Sequence, residues 1–460
     1  MSAALPSQTP EKQRIAALLC ALGLFTAVTV TESAQAAAPI RKGPYLQSLG
    51  TSGVTVKLEL DEAAPAKLEV YQAGSEKVVA SVESPERWTF HAMHVEGLSA
   101  GTAFEYRVLS GGARSELGHF VTAPAENRPF RFQIYGDSRN DGASHAAVVR
   151  AMLAQPADFL VNTGDMVHSG IEPGDWAEFF TIEKDLIRDR CVFAAVGNHE
   201  IYKGDAAGGV AFLRYFAMIE EGRDRPRLYS SFRWSNTRFF LLNAMDTWTG
   251  EERDWLRSEL DHALGEPGLQ HRIAVLHHGP FSSGPHGPNK AFIDNDIVGM
   301  MRERRVDLVV SGHDHVYERG ESVGLKYLIS GGAGAPLYER KIQAPHTLSF
   351  ESVHHFVEVT IEGDEIKAVA RRASGGIIEA CGFHGGGPWS CDESIARPAP
   401  TSGIGPAATS APGGNTRGKG ACTCDLAGTS DDAGGVDAGL FGCASLLVFG
   451  ARRRRGARAI

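Results

Sequence analysis

Apolar residues follow two alternating patterns between residues 130 and 330. Short runs rich in β-branched and aromatic residues indicate strands, and they occupy 130–135, 158–163, 191–196, 272–276, 306–311 and 325–330. Between them, apolar spacing of three and four residues predicts helices over 144–153, 251–264 and 294–305. Strands that alternate with helices predict a layered α/β core, and a hairpin is predicted next, over 356–361 and 365–369.

Residues 40–123 show a different pattern, in which apolar and polar residues alternate with little helical spacing. Segments 54–60, 66–71 and 104–109 have the alternation of half-buried strands. This pattern predicts a small all-β sandwich ahead of the α/β core, joined to it by a short linker over 124–129. The segment contains no cluster of catalytic residue types.

Five of the apolar runs end in residues that can bind metal ions. The endings are Gly136-Asp137, Gly164-Asp165, Gly197-Asn198-His199-Glu200, His277-His278-Gly279-Pro280 and Gly312-His313-Asp314-His315. Ligands in layered α/β proteins bind outside the carboxyl ends of the strands, and glycine lets the backbone approach them closely. Carboxylate, amide and imidazole groups suit Fe, Mn or Zn. The sequence therefore predicts a metal site at these strand ends.

The order of these endings resembles that of the calcineurin-like metallophosphoesterases. Within them, the run from Gly312 to Arg319 and the segment before the core resemble the purple acid phosphatase branch. The resemblance covers about residues 39–373 and implies a catalytic domain over 130–373, built of two packed sheets flanked by helices. It also implies two metal ions (Fe, Zn or Mn) and hydrolysis of phosphate esters by a metal-bound hydroxide. The region 40–123 resembles the fibronectin-type domain that precedes many purple acid phosphatase catalytic domains.

The resemblance assigns metal-binding roles by motif order. It gives Asp165 as the catalytic bridge between the ions, Asp137 and His315 as ligands of the first metal, and Asn198, His278 and His313 as ligands of the second. His278 is preferred because it stands two positions before Pro280, as the family ligand does. His277 would then support or pack against the site, although the sequence leaves an exchange of the two histidines open.

Three further residues are candidates for contact with a small phosphorylated substrate. His199 resembles the family's acid or substrate-binding histidine, and His286 lies where plant relatives place a second one. Arg139 either contacts the substrate phosphate through its fork of donors or pairs with Glu200. The expected activity is that of a phosphatase acting on monoesters. A phosphodiesterase or nucleotidase, or a catalytically silent surface binding protein, are the alternatives.

Both ends of the chain carry targeting patterns. Lys12 and Arg14 precede an apolar run over 15–30 and a small-residue cleavage pattern, which predicts a signal peptide over 1–36. The run is short for the roughly 20 residues of a membrane-spanning helix. Export to the exterior or the cell surface of a bacterium is therefore expected.

The C-terminal part divides into three segments. The first is a Cys-containing extension over 374–397, and the second, over 398–420, has the Pro, Gly, Ser, Thr and Ala composition of a flexible linker. The third, over 421–460, combines cysteines, an apolar run and four consecutive arginines. It resembles the Myxo-CTERM type of sorting tail, which would anchor the chain to a membrane or cell surface; a disordered basic end is the alternative.

Charge and cysteine content limit the classes of partner and compartment. A net charge of −9 without a basic patch argues against nucleic acid as a partner. Seven cysteines in an exported chain permit disulfides, and Cys381 and Cys391, on either side of a Gly-rich loop, are the predicted pair. Cys191 lies in a predicted core strand and is expected to be buried.

One position departs from the purple acid phosphatase pattern and leads to a prediction. That branch has a tyrosine three residues after the bridging aspartate, and its phenolate on Fe(III) gives the colour, whereas this chain has His168 there. Histidine can bind the first metal but cannot produce that charge-transfer band. We expect the metal-replete protein to be colourless. A visible absorption spectrum checks this, and a band in the purple region would contradict it.

Overall fold

The structure, a computed structural model, describes residues 39–201, 206–216, 227–245 and 248–395. The predicted signal peptide, linker and sorting tail lie outside these ranges and stay predictions. Within the ranges, no helix combines the length and the apolar character needed to cross a membrane.

The N-terminal part is all-β, as its alternating pattern predicts. Its strands are β1 (Ile40–Gln47), β2 (Val54–Gln72), β3 (Val78–Val95), β4 (Ala103–Ser110), β5 (Ala113–Arg114) and β6 (Gly118–Val121). All six join one sheet, in which β3 runs along one edge of β2 while β1 and β4 share the other edge. Register shifts between β2 and β3 on both sides of Ala64 mark irregularities of the bulge type, which bend long strands.

The α/β core follows. Its elements are β7 (Phe130–Tyr135), α1 (Gly142–Leu153), β8 (Phe159–Asn162), α2 (Pro173–Asp189), β9 (Cys191–Ala194), α3 (Ala206–Tyr215), β10 (Ser230–Trp234), β11 (Thr237–Leu242), α4 (Glu251–Gly265), β12 (His271–Leu276), α5 (Lys290–Asp294), α6 (Ile297–Glu303), β13 (Leu308–Ser311), β14 (Tyr317–Ser322), β15 (Leu325–Ser330), β16 (Thr347–Glu351), β17 (His355–Glu362), β18 (Glu365–Arg372), β19 (Ile377–His384) and β20 (Ser390–Cys391). The six strands and the hairpin predicted between 130 and 369 are all present, with small differences at their ends.

Two seven-stranded sheets form the middle of the core. Their strand orders are β10-β11-β12-β13-β15-β14-β16 and β20-β19-β18-β17-β7-β8-β9. The sheets pack face to face through aromatic rings, since Phe239 of the first lies edge-on to Phe132 and Phe159 of the second at 5.2 and 5.5 Å between ring centroids. Apolar side chains of α1 and α2 cover the outer face of the second sheet, and those of α4 and α6 cover the outer face of the first. The predicted layered core of two packed sheets is therefore confirmed.

Local residues explain where helices begin and why one prediction differs. Asp141 caps α1 by accepting hydrogen bonds from the backbone N–H groups of Ala143 and Ser144 at 3.0 and 3.2 Å. The helix predicted over 294–305 is present only as the shorter α6, because Asp296 adopts a left-handed conformation with φ 56° and separates α6 from the preceding short helix α5. Helix α2, which begins at Pro173, was not predicted.

The Cys-containing segment belongs to the core rather than to a separate extension. β19 pairs with β18 along its length, and β20 pairs with β19, so both complete the second sheet. A disulfide joins Cys381 to Cys391 across these strands, as predicted, and Cys191 is a buried free cysteine.

The N-terminal sheet is fastened to the core at the end of α3. Tyr45 Oη donates a hydrogen bond to the carbonyl of Tyr215 at 3.0 Å, and Lys57 Nζ donates to the carbonyls of Arg214 and Tyr215 at 3.2 Å each. The last carbonyls of a helix have no partners within the helix, so these donors stabilise its C-terminus. The sheet therefore supports a helix that follows the Asn198-His199 segment in sequence.

His355 at the start of β17 makes the stability of the fold depend on pH. Its side chain is completely buried, Nδ1 donates to the carbonyl of Val353 at 2.8 Å, and Nε2 has no hydrogen-bond partner in the described part of the chain. Burial disfavours the charged imidazolium and lowers the pKa of His355 to about 4.

We expect His355→Gln, which keeps a donor for Val353, to reduce the loss of stability in acid. The usual pKa is about 6.5, so the unfolded chain binds this proton first as the pH falls. The parent should lose up to about 3 kcal/mol of unfolding free energy between pH 6.5 and pH 4 that the variant keeps. Urea unfolding of both proteins at about pH 7.5 and about pH 4.5 checks this. Equal losses would show that His355 does not control the acid stability.

Candidate metal centre

The five strand endings meet in one place, between the carboxyl ends of β7, β8 and β9 in one sheet and of β12 and β13 in the other. The strands within each of these groups are parallel, so their carboxyl ends lie at the same edge. Asp137, Asp165, Asn198, His277, His313 and His315 come directly after these ends and contact one another as described below.

Three of these residues have a backbone conformation that costs free energy. Asp137, Asp165 and His313 are left-handed, with φ of 56°, 55° and 71°. Such a conformation costs about 1–2 kcal/mol for a residue with a side chain and tends to occur at functional sites. The neighbouring glycines are needed for space, because a Cβ atom on Gly312 would overlap Asp137 Oδ2 and one on Gly197 would overlap Asp165 Oδ1.

The first group of ligands surrounds one carboxylate oxygen of Asp137. Asp137 is completely buried, its Oδ2 accepts a hydrogen bond from the backbone N–H of His313 at 2.9 Å, and its Oδ1 has no hydrogen bond within the described part of the chain. Nε2 of His315 lies 3.5 Å from that Oδ1, while Nδ1 of His315 is held by the carbonyl of Pro336 at 2.6 Å. Burial raises the pKa of Asp137 well above its usual value. A buried carboxylate oxygen that faces an imidazole nitrogen fits a bound cation.

The second group converges on Nε2 of His277. This atom lies 3.3 Å from Asp165 Oδ1, 3.0 Å from Asn198 Oδ1 and 3.1 Å from His313 Nδ1. The other ring nitrogen, Nδ1, hydrogen-bonds to the carbonyl of Thr163 at 2.9 Å, so it carries the proton of the neutral ring. Nε2 then presents a lone pair beside the lone pairs of the three neighbouring oxygen and nitrogen atoms. Together these atoms form a ligand set for a cation.

The charges in this group show how strongly it favours a positive ion. Burial alone would lower the pKa of His277, but the carboxylates of Asp165 and Asp137 outweigh it and raise the pKa to about 9. Burial alone would raise the pKa of Asp165, but His277, His199 and Arg139 keep it below its usual range. The positive charge of protons and cationic side chains thus balances the negative charge of these carboxylates. A metal ion bound here would balance the same negative charge.

The structure places His277, rather than the predicted His278, beside the other predicted ligands. His277 directly follows the end of β12 and lies among Asp165, Asn198 and His313, whereas Nε2 of His278 lies 3.1 Å from the carbonyl of Gly287. The ring of His278 packs on that of His313, at 4.4 Å between centroids. The prediction chose the histidine by its distance from Pro280, but the strand end determines which side chain faces the site.

Arg139 contacts the ligands rather than Glu200. Its Nε donates to Asp165 Oδ2 at 3.2 Å, and its Nη2 lies 3.4 Å from His315 Nε2. The pairing with Glu200 that the sequence left open is not formed. The guanidinium therefore places a positive charge beside the first group of ligands.

Glu200 supports the site, a role that the sequence analysis missed. Its carboxylate is completely buried and accepts hydrogen bonds from the backbone N–H groups of Asp165, Met166 and Gly197, at 2.8 to 2.9 Å. Burial, followed by the charge of Asp165, raises its pKa to about 7. The position of a glutamate directly after Asn198-His199 was the available sequence signal.

His199 and His168 lie on the open side of the first group. The backbone N–H of His199 donates to Asp165 Oδ1 at 3.0 Å, its ring Nδ1 bonds to the carbonyl of His168 at 2.5 Å, and its Nε2 lies 3.8 Å from Asp165 Oδ2. Burial lowers the pKa of His199. The His168 side chain is exposed, with Nδ1 3.2 Å from Asn140 Nδ2. The role of His168 as a ligand of the first metal stays a prediction.

His286 and Tyr338, here called the rim, pack against two of the predicted histidine ligands. The ring of His286 packs on that of His313 at 4.2 Å between centroids, and the ring of Tyr338 stacks on that of His315 at 4.1 Å. The two rim rings contact each other at 5.4 Å. His286 is exposed, so a substrate at the ligand cluster would reach it.

Fold and predicted ligands together define an α/β protein with a candidate metal site at its strand ends. Residues 136–317, less than half of the chain, match the family model of the calcineurin-like phosphoesterases. Purple acid phosphatases are among the similar proteins, and these similarities imply a dinuclear metal centre.

The similar sequences include an uncharacterized protein of Mycobacterium tuberculosis and purple acid phosphatase 22 of Arabidopsis thaliana. The first is 26% identical over 263 residues, which cover 49% of this chain and 50% of the relative. The second is 26% identical over 241 residues, which cover 51% of this chain and 54% of the relative. The chain thus spans about half the length of these relatives.

Solved structures share the fold. A purple acid phosphatase from yellow lupin (Lupinus luteus) seeds superposes with a TM-score of 0.64 at 17% identity, over 76% of this chain and 74% of the other. A structure of PhoD superposes with a TM-score of 0.63 at 12% identity, over 80% of this chain and 94% of the other. At these identities the likeness establishes the metallophosphoesterase-like α/β fold, preceded by a β-rich region.

The two adjacent histidines give a direct test of the ligand set. We expect His277→Ala to lower bound metal from about two ions to about one per chain, because it removes a nitrogen from the second group, and His278→Ala to leave about two. Metal analysis of the purified variants by mass spectrometry checks this, with circular dichroism to confirm that both are folded. Metal loss in His278→Ala with retention in His277→Ala would contradict the geometry.

Proposed function

We propose that the protein hydrolyses phosphate monoesters at this dinuclear metal centre. The observation that carries the proposal is the meeting of Asp165 Oδ1, Asn198 Oδ1 and His313 Nδ1 around His277 Nε2, together with the buried Asp137, whose Oδ1 lies 3.5 Å from His315 Nε2. Two cations fit this set of donors, and purple acid phosphatases are among the similar proteins.

The ligands divide into two sets that share one carboxylate. Asp137, Asp165 and His315 would hold the first metal, and Asp165, Asn198, His277 and His313 would hold the second. The donors are oxygen and nitrogen atoms, which accept Fe, Zn or Mn. Two metal ions held by these residues would neutralise the charge of a phosphate group and supply a nucleophilic oxygen near neutral pH.

The residues around the ligands would act on the ester itself. In its doubly protonated form, His199, whose Nε2 faces the Asp165 carboxylate, would deliver the Nε2 proton to the leaving oxygen when the bond from phosphorus to that oxygen breaks, and the neutral ring would keep its proton on Nδ1. Proton transfer from a positioned side chain typically contributes about 10²–10⁴ in rate. Arg139 would hold a phosphoryl oxygen through its guanidinium once metal ions take its place beside Asp165.

The positive charge around the site would favour one class of phosphate ester over another. A monoester carries two negative charges, and the centre offers two cations together with Arg139 and the histidines His199 and His286 to match them. A diester carries one negative charge and would balance only part of this positive charge. The monoester is therefore the substrate class that the site supports best.

Hydrolysis assays test this proposal. We expect purified protein with about two bound metals to cleave an aryl phosphate faster than a bis-aryl phosphate, and to lose the activity on treatment with a chelator. Asp165→Asn should reduce kcat/KM by about 10³-fold or more, because it removes charge from the shared ligand. Asp364→Asn, at an exposed hairpin turn, is the matched control and should keep full activity.

The outcomes separate the alternatives. Preferential diester cleavage would replace the monoesterase by a phosphodiesterase on the same centre. Bound metals with neither activity would contradict the proposal and favour a catalytically silent binding protein. Asp165→Asn protein that hydrolysed the aryl phosphate as well as the parent would also contradict it.

A further inference from the structure

We propose that Asp314 is a positioning residue that fixes His286 above the metal ligands so that His286 binds the phosphoryl group or the leaving oxygen. Asp314 stands in sequence between two predicted ligands, His313 and His315, but its carboxylate hydrogen-bonds to a different loop. The inference rests on the proposed function, since the substrate is the phosphate ester of that site.

The carboxylate of Asp314 is bound from two sides by a single loop, residues 282–286. Asp314 Oδ1 accepts hydrogen bonds from the ring Nδ1 of His286 at 2.8 Å and from its backbone N–H at 3.2 Å. The hydroxyl of Ser282 donates to Oδ2. Asp314 is only 2% exposed, so the carboxylate end of these hydrogen bonds is shielded from water.

The loop is shaped around this carboxylate. A Cβ atom on Gly284 would overlap the carboxyl group of Asp314, so only glycine allows the loop to pass so closely. The backbone N–H of Gly284 also donates to the hydroxyl of Ser282 at 2.9 Å. Asp314 thus determines the path of the loop that carries His286.

The hydrogen bond to Nδ1 determines which ring nitrogen is left for the substrate. A carboxylate accepts but cannot donate, so Nδ1 of His286 carries a proton and Nε2 is the nitrogen available for another partner. The ring also packs on His313 at 4.2 Å and against Tyr338 at 5.4 Å, which limits its rotation. An exposed histidine would otherwise sample several rotamers, and fixing it beforehand removes that entropic cost from catalysis.

The contacts distinguish this role from support of the metal ligands. Within the described residues, the Asp314 carboxylate accepts its hydrogen bonds from Ser282 and His286. The strand-end turn between His313 and His315 is instead closed by backbone bonds, from Asp314 N to the carbonyl of Gly312 at 2.9 Å and from Val316 N to the carbonyl of Asp314 at 2.7 Å. Removing the carboxylate should therefore release His286 and leave the metal ligands in place.

A double-mutant cycle tests this inference with the metal-loaded enzyme. We expect Asp314→Ala and His286→Ala each to lower kcat/KM for an aryl phosphate roughly tenfold, and the double variant to be no slower than His286→Ala alone. Asp314→Asn, which keeps an acceptor oxygen for Nδ1, should lose less than Asp314→Ala. Effects that multiply in the double variant, to roughly a hundredfold, would overturn the inference. Loss of bound metal in Asp314→Ala would also overturn it.

A second measurement does not depend on activity. Nitrogen-15 NMR of metal-free protein reports the tautomer of each histidine ring, and His286 should show a protonated Nδ1 that exchanges slowly in the parent and not in Asp314→Ala. An unchanged His286 signal in that variant would overturn the inference even if the enzyme is active.

Failure of the inference can be told apart from failure of the proposed function. Absence of phosphatase activity in the metal-loaded parent would contradict the function alone. In that case the same cycle is measured on the affinity of the loaded protein for inorganic phosphate, by calorimetry. Non-additive losses for the Asp314 and His286 variants would support the positioning role, and additive losses would overturn it.

Discussion

The rest of the structure depends on one constraint, which is the mutual repulsion of lone pairs and negative charges at the strand ends. Asp165, Asn198 and His313 direct acceptor atoms at His277 Nε2 within 3.0 to 3.3 Å, and the buried Asp137 adds a second carboxylate. Such a group is stable only with positive charge inside it. The raised pKa of His277 and the position of Arg139 show the protein supplying that charge from its own side chains.

The scaffold keeps these groups together by backbone geometry more than by side-chain packing. Left-handed residues at Asp137, Asp165 and His313 turn the chain sharply after each strand, and glycines leave the room for neighbouring turns to touch. Glu200 then ties two of the turns together through backbone N–H groups. The strain of these turns is carried by two packed sheets, which hold the strand ends at fixed positions.

The sequence predicted the parts of this arrangement that depend on local pattern. Short apolar runs ending in Gly-Asp or Gly-His identified the strands and the edge at which their ligands meet. Choosing between His277 and His278 needed the exact end of β12, which local pattern locates only to within a residue or two. Helix α2 begins at Pro173-Gly174, two residues that are more typical of turns than of helices, so the pattern did not predict it. Proline is nevertheless well tolerated at the first position of a helix. The bond between Asp314 and His286 joins distant parts of the chain, so spacing gave no sign of it.

The most direct test of the central claim is anomalous diffraction from crystals grown with Mn²⁺ or Zn²⁺. The account predicts two peaks about 3.5–4 Å apart, bridged by Asp165, with His277 bound to the ion that Asn198 and His313 also hold. A single peak, or two peaks with His278 as the ligand in place of His277, would contradict it.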